Sequence, residues 1–213
     1  MTYVMTYDSL ITSLKRWTVR TTDVDFDLEI PRLIDTTERK VARVLKTLMQ
    51  RQNVTGNFVV GNALIAKPVR LLEDISWRWL NATTLESTEL TKRTYEYIRC
   101  VYSGVTTSGA PKYYSDYSKE YFYVGPDPDD TYSYQLTYYE RPQPLGADVS
   151  TNFLTETAPD LMLYGLLLEA SPFLDDAQTA MWTDMYNKKV AEFGFEDDDR
   201  KIPESQKLKG SRS

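Results

Sequence analysis

The chain has 213 residues, of which 41% are hydrophobic and 26% are charged, proportions typical of a globular protein with one core. Its formal net charge of −6 argues against a protein that binds nucleic acid through the phosphates, because such binding requires a basic surface. Histidine is absent and Cys100 is the only cysteine, which excludes zinc sites with His and Cys ligands, disulfides within the chain, and Ser-His or Cys-His nucleophiles.

Two amphipathic helices are predicted near the N-terminus, over residues 9–17 and 27–49. In the second helix, apolar side chains recur at every third or fourth position and predict one buried stripe. The stripe consists of Phe26, Ile30, Leu33, Ile34, Val41, Val44, Leu45 and Leu48. Asp25 or Asp27 is expected to cap this helix, and Pro31 is expected to lie in or near its first turn, where a missing N–H is tolerated.

The other face of the second helix is charged. Its residues are Arg32, Asp35, Glu38, Arg39, Lys40, Arg43 and Lys46. This face predicts either a solvated surface or a docking face for a neighbouring molecule, while the apolar stripe is interpreted as ordinary core.

Strands are predicted after residue 53, where short apolar runs are broken by glycine and proline. The runs lie at residues 58–60, 63–65 and 69–79. Gly61 and Asn62 are expected to form a tight turn between two of these strands. A helix is then predicted over residues 88–102, with Ser87 or Thr88 as its cap.

A β-hairpin is predicted next, because residues 120–125 and 132–139 both alternate between the two faces of a strand. The connecting residues 126–130 have the composition of a turn. A calcium site is the alternative interpretation of the three aspartates in this connection. Their spacing is not that of an EF-hand loop, so the turn is favoured.

Tyrosines are concentrated in and around the predicted hairpin. They are Tyr113, Tyr114, Tyr117, Tyr121, Tyr123, Tyr132, Tyr134, Tyr138 and Tyr139. Tyrosine suits a surface that must be apolar and hydrogen-bonding at once, as at protein interfaces. Base stacking requires interleaved cations, and only Lys112, Lys119 and Arg141 are nearby. A protein interface is therefore favoured over nucleic acid, and packing within the sheet stays open as the alternative.

Two more helices are predicted toward the C-terminus. Thr157 is expected to cap the first of them, and Pro159 is expected to lie in its first turn. Residues 161–168 are apolar nearly all round, so this helix is predicted to be the most buried element. Ser171 and Pro172 are expected to end it.

The last helix is predicted to begin at a cap formed by Asp175 and Asp176 and to end at Phe193, with Gly194 as the end signal. Its expected inner stripe is Met181, Trp182, Met185, Tyr186, Val190 and Phe193. Residues 196–213 are charged and contain few apolar side chains. Such a segment does not fold alone, so an arm that orders on a partner is predicted.

The predicted fold class is α+β, mainly α: a helical bundle of the two N-terminal and two C-terminal helices, with a β-rich insertion and an extended arm. The insertion, which contains the hairpin, covers about residues 54–140. Residues 1–195 are expected to form a single domain, and residues 196–213 form the arm. The N-terminus has neither the basic start nor the apolar core of a signal peptide, so the chain is expected to be made in a cytoplasm.

No catalytic residue, cofactor or metal ligand is predicted. The chain has no phosphate-binding glycine loop and no dinucleotide fingerprint. Neighbouring acids in a sequence usually point apart, so the paired aspartates and glutamates do not form an acid–base pair by themselves. A carboxylate-dependent hydrolase, in which the fold brings two distant carboxylates together, is the alternative.

Three segments, in this order and spacing, resemble the head–tail adaptor (connector) proteins of tailed bacteriophages. They cover residues 26–45, 94–142 and 152–174. They include Phe122-Tyr-Val-Gly-Pro-Asp-Pro-Asp129, Leu136-Thr-Tyr-Tyr-Glu-Arg-Pro142 and Leu163-Tyr-Gly-Leu-Leu-Leu-Glu-Ala170. No single piece is specific; the signal is their order and spacing, which ends in the Ala158-Pro-Asp-Leu161 helix and the Glu169-Ala-Ser-Pro-Phe-Leu174 break. With the last helix, the resemblance spans about residues 26–193.

The resemblance implies a structural virion protein in the neck of the particle. Such proteins form a homo-oligomeric ring, expected of about twelve copies, between the portal protein and the tail or nozzle. DNA passes through the lumen without specific binding, and neither membrane nor enzymatic activity is involved. A tail completion or terminator protein and a tail-associated hydrolase are the alternatives that stay open.

Two sets of residues are expected to make the contacts of such a ring. The arm residues expected on the portal are Arg200, Lys201, Ile202, Lys207, Leu208, Lys209 and Arg212. The residues expected between subunits are Arg32, Glu38, Arg39, Arg43, Tyr121, Tyr123 and Tyr134. The second set combines the charged helix face with the tyrosine-rich strands, because ring subunits meet through unlike surfaces.

Overall fold

The computed structural model describes residues 4–46, 50–80, 87–103, 108–174 and 178–201, with side chains as far as residue 194. These residues form six α-helices and eight β-strands, so the predicted mixture of helix and sheet is confirmed. The helices are α1 Tyr7–Trp17, α2 Val24–Val44, α3 Tyr95–Val101, α4 Phe153–Thr157, α5 Pro159–Ala170 and α6 Thr179–Lys201. The strands are β1 Arg51–Asn57, β2 Leu64–Ala66, β3 Leu71–Leu80, β4 Ser87–Glu89, β5 Thr91–Lys92, β6 Tyr113–Asp116, β7 Tyr121–Gly125 and β8 Ser133–Glu140.

The chain divides into two compact units. The helical unit comprises residues 1–50 and 141–213, and the β unit comprises residues 51–140. The single domain predicted over residues 1–195 stays a prediction. No helix in the described ranges is both long enough and apolar enough to cross a membrane.

Helix α5 lies at the centre of the helical unit and packs against α1, α2, α4 and α6. Because it contacts other elements on all sides, it is apolar all round, as its sequence predicted. Its buried residues are Leu161, Met162, Leu163, Gly165, Leu166, Leu167 and Ala170. A 3-10 turn at Ser171–Phe173 ends the helix at the predicted place.

The boundaries of α2 differ from the prediction at both ends. Asp23 caps it by accepting the N–H of Phe26 at 3.1 Å, so neither Asp25 nor Asp27 is the cap. The helix therefore starts earlier, and Pro31 lies in its interior rather than in the first turn, where it removes one hydrogen bond of the helix. Most of the predicted stripe is buried, namely Phe26, Ile30, Leu33, Ile34, Val41 and Leu45. Val44 is half exposed, and Leu48 lies outside the described residues.

The caps predicted for the C-terminal helices are also corrected. Thr157 ends the short helix α4, and Ala158 holds the N-cap position of α5. Asp175 and Asp176 lie outside the described residues.

Helix α6 does not end at Gly194 but runs on to Lys201, so the first six residues of the predicted arm are helical. A single glycine costs a helix only about 1 kcal/mol relative to alanine, so it does not end one by itself.

The β unit consists of two four-stranded sheets, one in the order β1-β8-β3-β4 and the other in the order β2-β7-β6-β5. Their facing sides share one aromatic-rich core, as in a β-sandwich. Its buried residues are Phe58, Ile65, Trp77, Trp79, Leu90, Tyr114, Phe122, Val124, Tyr132, Leu136 and Tyr138.

The predicted hairpin is wrong, although both of its strands exist. Strand β7 pairs with β2 and β6, whereas β8 pairs with β1 and β3 in the other sheet. The connection over residues 126–130 therefore crosses from one sheet to the other, and the hairpin of this region is β6–β7. Alternation identifies a strand and its inner face, but it does not identify the strand's partner.

Two other predictions in the β unit are corrected. Gly61 does form a turn, with φ +69° and a hydrogen bond from Asn62 N–H to the carbonyl of Val59, but the strands on either side pair elsewhere. The helix predicted over residues 88–102 is helical only from Tyr95, behind Thr94 as its cap. Its first part forms β4 and β5 because the intervening Leu90 is buried in the sandwich core.

Candidate interaction surfaces

The outward face of α2 is lined by ion pairs within the chain. Arg32 Nε lies 2.5 Å from Glu29 Oε2, and Arg39 Nε lies 3.0 Å from Asp35 Oδ1. Lys40 Nζ lies 2.9 Å from a carboxylate oxygen on α5. Exposed pairs of this kind contribute at most about 1 kcal/mol each to stability, so their effect is mainly to neutralise this face.

Two charges on α2 have no such partner among the described residues, Asp25 near its start and Arg43 near its end. Arg43 lines a shallow groove of about 530 Å³ on the last turns of the helix. The groove is lined by Asp35, Thr36, Arg39, Lys40, Arg43 and Val44. Three of the predicted interface residues, Arg32, Arg39 and Arg43, therefore do lie on one exposed face.

Glu38 does not belong to that face, which corrects the prediction. Only 3% of it is exposed, and its oxygens accept the N–H of Leu145 at 3.2 and 3.3 Å and the side-chain N–H of Asn152 at 2.5 Å. Burial raises the pKa of the Glu38 carboxyl to about 7, against the hydrogen bonds that lower it. The spacing did contain this signal, since position 38 follows Ile34 by four and precedes Val41 by three.

Sequence reasoning missed an exposed apolar group where α1 leads into α2. Val19, Val24 and Leu28 are 86%, 70% and 76% exposed. Val24 and Leu28 are four residues apart, hence on one face of α2 and out of phase with its buried stripe. Val19 has φ +56°, a backbone conformation that a β-branched residue rarely adopts. The phase mismatch of Val24 and Leu28 was the available signal.

Tyr121 and Tyr123 lie together on β7, beside a cluster of rings. The ring of Tyr95 on α3 lies 5.1 Å from both Tyr117 and Tyr123, and the last two rings are 6.1 Å apart. Tyr121 is 40% exposed. Two of the three predicted interface tyrosines are thus adjacent on one sheet, next to partly exposed aromatic surface.

Tyr134 is placed differently. It lies on β8, in the other sheet, and its ring contacts Phe58 at 4.8 Å and Trp77 at 5.4 Å between centroids. A Cβ at Gly56 would lie only 2.5 Å from the Tyr134 hydroxyl, so the glycine makes room for this ring. For Tyr134 the alternative of packing within the sheet is the one that the contacts support.

A network of alternating charges joins the two sheets of the β unit. Asp74 accepts the Tyr114 hydroxyl and the Lys92 ammonium, both at 2.6 Å. Asp116 lies 2.8 Å from Lys92 and 2.7 Å from Lys67. Burial and the hydrogen bond to Asp74 raise the pKa of Tyr114. Every side chain in this network has a partner, so we interpret the network as stabilising the β unit.

The predicted arm falls largely outside the described residues. Arg200 and Lys201 are in the last turn of α6, but their side chains are not among those described. The remaining arm residues, Ile202, Lys207, Leu208, Lys209 and Arg212, lie outside the described residues. Among the residues that are described, no group of three or more His, Cys, Asp or Glu side chains is arranged to hold a metal ion.

Comparison with protein families gives a match that covers almost the whole chain. The family model of the SU10 adaptor protein matches residues 5–206. A search among curated proteins finds no match. The chain belongs to the SU10 adaptor protein family, a family of structural adaptors of phage virions, which confirms the adaptor part of the resemblance.

Proposed function

We propose that the chain forms the head-to-tail adaptor ring of a phage particle, joining the portal protein to the tail. The observation that carries the proposal is the family match over residues 5–206. About twelve copies would enclose part of the DNA channel, through which the genome passes during packaging and ejection. The working parts of such a protein are its surfaces, and none of its roles requires a catalytic residue.

The charge of the chain supports a role beside DNA rather than on it. A protein with a net charge of −6 binds the phosphate backbone weakly, and it repels DNA at short range. A channel wall that must let DNA slide in both directions benefits from such repulsion. We therefore assign the lumen no specific contact with the nucleic acid.

Subunit contacts in the ring are proposed for the two exposed surfaces described above. One is the outward face of α2, with Arg32, Arg39 and Arg43. The other is the β7 surface with Tyr121 and Tyr123. Head-to-tail contacts in a ring use unlike surfaces, so each of these two would contact a different surface on the neighbouring copy.

The portal contact is proposed for the segment that follows α6. Its sequence combines Lys207, Lys209 and Arg212 with the apolar Ile202 and Leu208. Cations interleaved with single apolar side chains suit an acidic groove on a partner, and such a segment orders as it binds. Because α6 continues to Lys201, the arm in this proposal starts at residue 202 rather than 196.

Deletion of residues 202–213 tests the proposal. The shortened chain should unfold at the same temperature as the full chain, but it should bind portal-containing heads at least about tenfold more weakly. Co-sedimentation with tailless heads measures the binding, and a chain with Lys207, Lys209 and Arg212 replaced by serine separates charge from length. Full binding by the shortened chain would show that the arm is not the portal contact. Absence of binding by the full chain would overturn the adaptor ring itself.

A further inference from the structure

The two ends of the outward face of α2 are opposite in charge. Asp25 and Arg43 are the charged residues of this helix that have no ion pair or side-chain hydrogen bond among the described residues. They are 18 positions apart, a distance of about 27 Å along an α-helix. Every other exposed charge of α2 is neutralised within its own chain.

Each of these free charges lies beside exposed apolar side chains. The acidic corner, which we define as Val19, Val24, Asp25 and Leu28, combines one free carboxylate with three side chains that are at least 70% exposed. Isolated exposed apolar residues are common, but three within ten residues of the chain, two of them one helical turn apart and the third held at a positive φ, indicate a contact surface.

The basic groove lies at the other end of the helix, and we define it as Arg39, Lys40, Arg43 and Val44 with the flanking Asp35 and Thr36. Its volume of about 530 Å³ is large enough for several side chains. Val44 is 51% exposed and supplies an apolar wall. The groove is therefore the counterpart of the acidic corner in charge, and both contain exposed aliphatic surface.

We infer that the acidic corner of one copy of this chain docks in the basic groove of the next copy. The two surfaces cannot meet within one chain, because they lie at opposite ends of one helix, about 27 Å apart along it. Contact between copies is then head to tail, with unlike surfaces, which is the kind of contact from which rings are built. This inference rests on the proposed adaptor ring and names its subunit interface.

The helix dipole alone does not explain the arrangement. It favours acids at the start of a helix and bases at its end, and so it accounts for the signs of Asp25 and Arg43. It gives no reason for Val24 and Leu28 to be exposed beside the acid, or for Val44 beside the base. Complementary docking accounts for the charges and the apolar side chains together.

Charge reversal and mixing test the inference on full-length protein. Asp25→Arg and Arg43→Glu should each lower co-sedimentation with portal-containing heads at least about tenfold, because like charges then face each other. An equimolar mixture of the two variants should recover co-sedimentation. Where the variants alternate around the ring, the basic corner of the Asp25→Arg chain meets the acidic groove of the Arg43→Glu chain. The unaltered corner of the Arg43→Glu chain meets the unaltered groove of the Asp25→Arg chain. Arg16→Glu, at the exposed end of α1, is the matched control and should assemble normally.

Disulfide trapping gives an independent measurement. In a Cys100→Ser background, the variant with Asp25→Cys and Arg43→Cys should give a ladder of linked chains when assembled particles are oxidised. The variants with only one of these cysteines should give no species larger than a dimer. The distance along α2 prevents a link within one chain.

The outcomes separate this inference from the function on which it rests. If the unaltered chain assembles but neither reversal weakens assembly, or if no ladder forms, the corner-to-groove interface is wrong and the adaptor role stands. If the unaltered chain does not associate with heads, the adaptor role is wrong and the inference falls with it. Variants that melt below the unaltered chain are replaced by Asp25→Asn and Arg43→Gln, for which a smaller loss in the same direction is expected.

Discussion

The side-chain amide of Asn152 donates a hydrogen bond of 2.5 Å to the carboxylate of Glu38, 114 residues earlier in the chain. Both residues are buried inside the helical unit. The same carboxylate accepts the N–H of Leu145, so one acidic side chain on α2 holds two points of the segment that leads into α4. A buried carboxylate with these partners makes the stability of the unit depend on pH.

Glu38→Gln should remove most of that dependence. The pKa of Glu38 is raised from 4.5 to about 7 in the folded chain, so the folded state holds its proton more tightly than the unfolded state. The contribution of this proton to the free energy of unfolding is fully present below pH 4.5 and is lost as the pH rises to about 7. The loss amounts to about 3 kcal/mol. Urea unfolding at pH 5, 6, 7 and 8 measures it for both proteins.

The amide keeps an acceptor for Leu145 and carries no charge, so Glu38→Gln should be the more stable protein at pH 8. Glu29→Gln, which alters an exposed carboxylate on the same helix, is the control and should follow the unaltered chain. Parallel pH profiles for Glu38→Gln and the unaltered chain would contradict the role given to Glu38.

Gly165→Ala should destabilise the helical unit although alanine is the better helix former. An added Cβ would lie 2.9 Å from Thr37 Cγ2 and 3.2 Å from the ring of Tyr186, closer than side chains pack. Overpacking of this kind costs about 1–3 kcal/mol, more than the gain of about 1 kcal/mol in helix propensity. Denaturant unfolding measures the difference.

A second glycine provides the control for this prediction. Nothing lies within 4 Å of the Cβ that Gly194→Ala would add in α6, so that change should stabilise by up to about 1 kcal/mol. Combined with Gly165→Ala, the change Thr37→Ser removes the clashing methyl group but keeps the hydroxyl that donates to the carbonyl of Leu33. The double variant should therefore recover part of the stability that Gly165→Ala loses. Equal effects of the two alanine substitutions would refute the packing argument.

Asp74→Ala should cost the β unit more stability than Asp116→Ala. The Asp74 side chain is 8% exposed, and its loss leaves the buried Tyr114 hydroxyl without its acceptor and removes one of the two carboxylates that pair with Lys92. Unpaired buried polar groups cost about 1–3 kcal/mol, whereas Asp116 is half exposed and its ion pairs contribute about 1 kcal/mol or less. Thermal unfolding of both variants at the same pH ranks them, and the reverse order would contradict the network described here.

Tyr134→Ser and Tyr121→Ser should separate packing from assembly. Tyr134 contacts two core rings, so its truncation should lower the free energy of unfolding by about 3 kcal/mol. Tyr121 is 40% exposed, so its truncation should change stability by less than about 1 kcal/mol but should weaken association with portal-containing heads. Normal association of Tyr121→Ser would remove this tyrosine from the proposed interface.

Periodicity along the chain was sufficient to identify most helices. The stripe of α2 and the apolar circumference of α5 come directly from the geometry of a helix that is buried on one side or on all sides. Alternation likewise identified β7 and β8, and it placed Tyr132, Leu136 and Tyr138 on the buried face of the strand predicted over residues 132–139. These signals are local, because each depends only on which side of an element is buried.

By itself, the sequence determined the mixture of helix and sheet, the buried helix α5, the absence of His-based chemistry, and the resemblance to phage adaptors. Only the tertiary structure decided that β7 and β8 belong to different sheets, that Glu38 is buried, and that Val24 and Leu28 are exposed beside Asp25. The physical reason is that strand partners and the surroundings of one side chain depend on residues far away in the chain. The 114 residues between Glu38 and Asn152 are the clearest case.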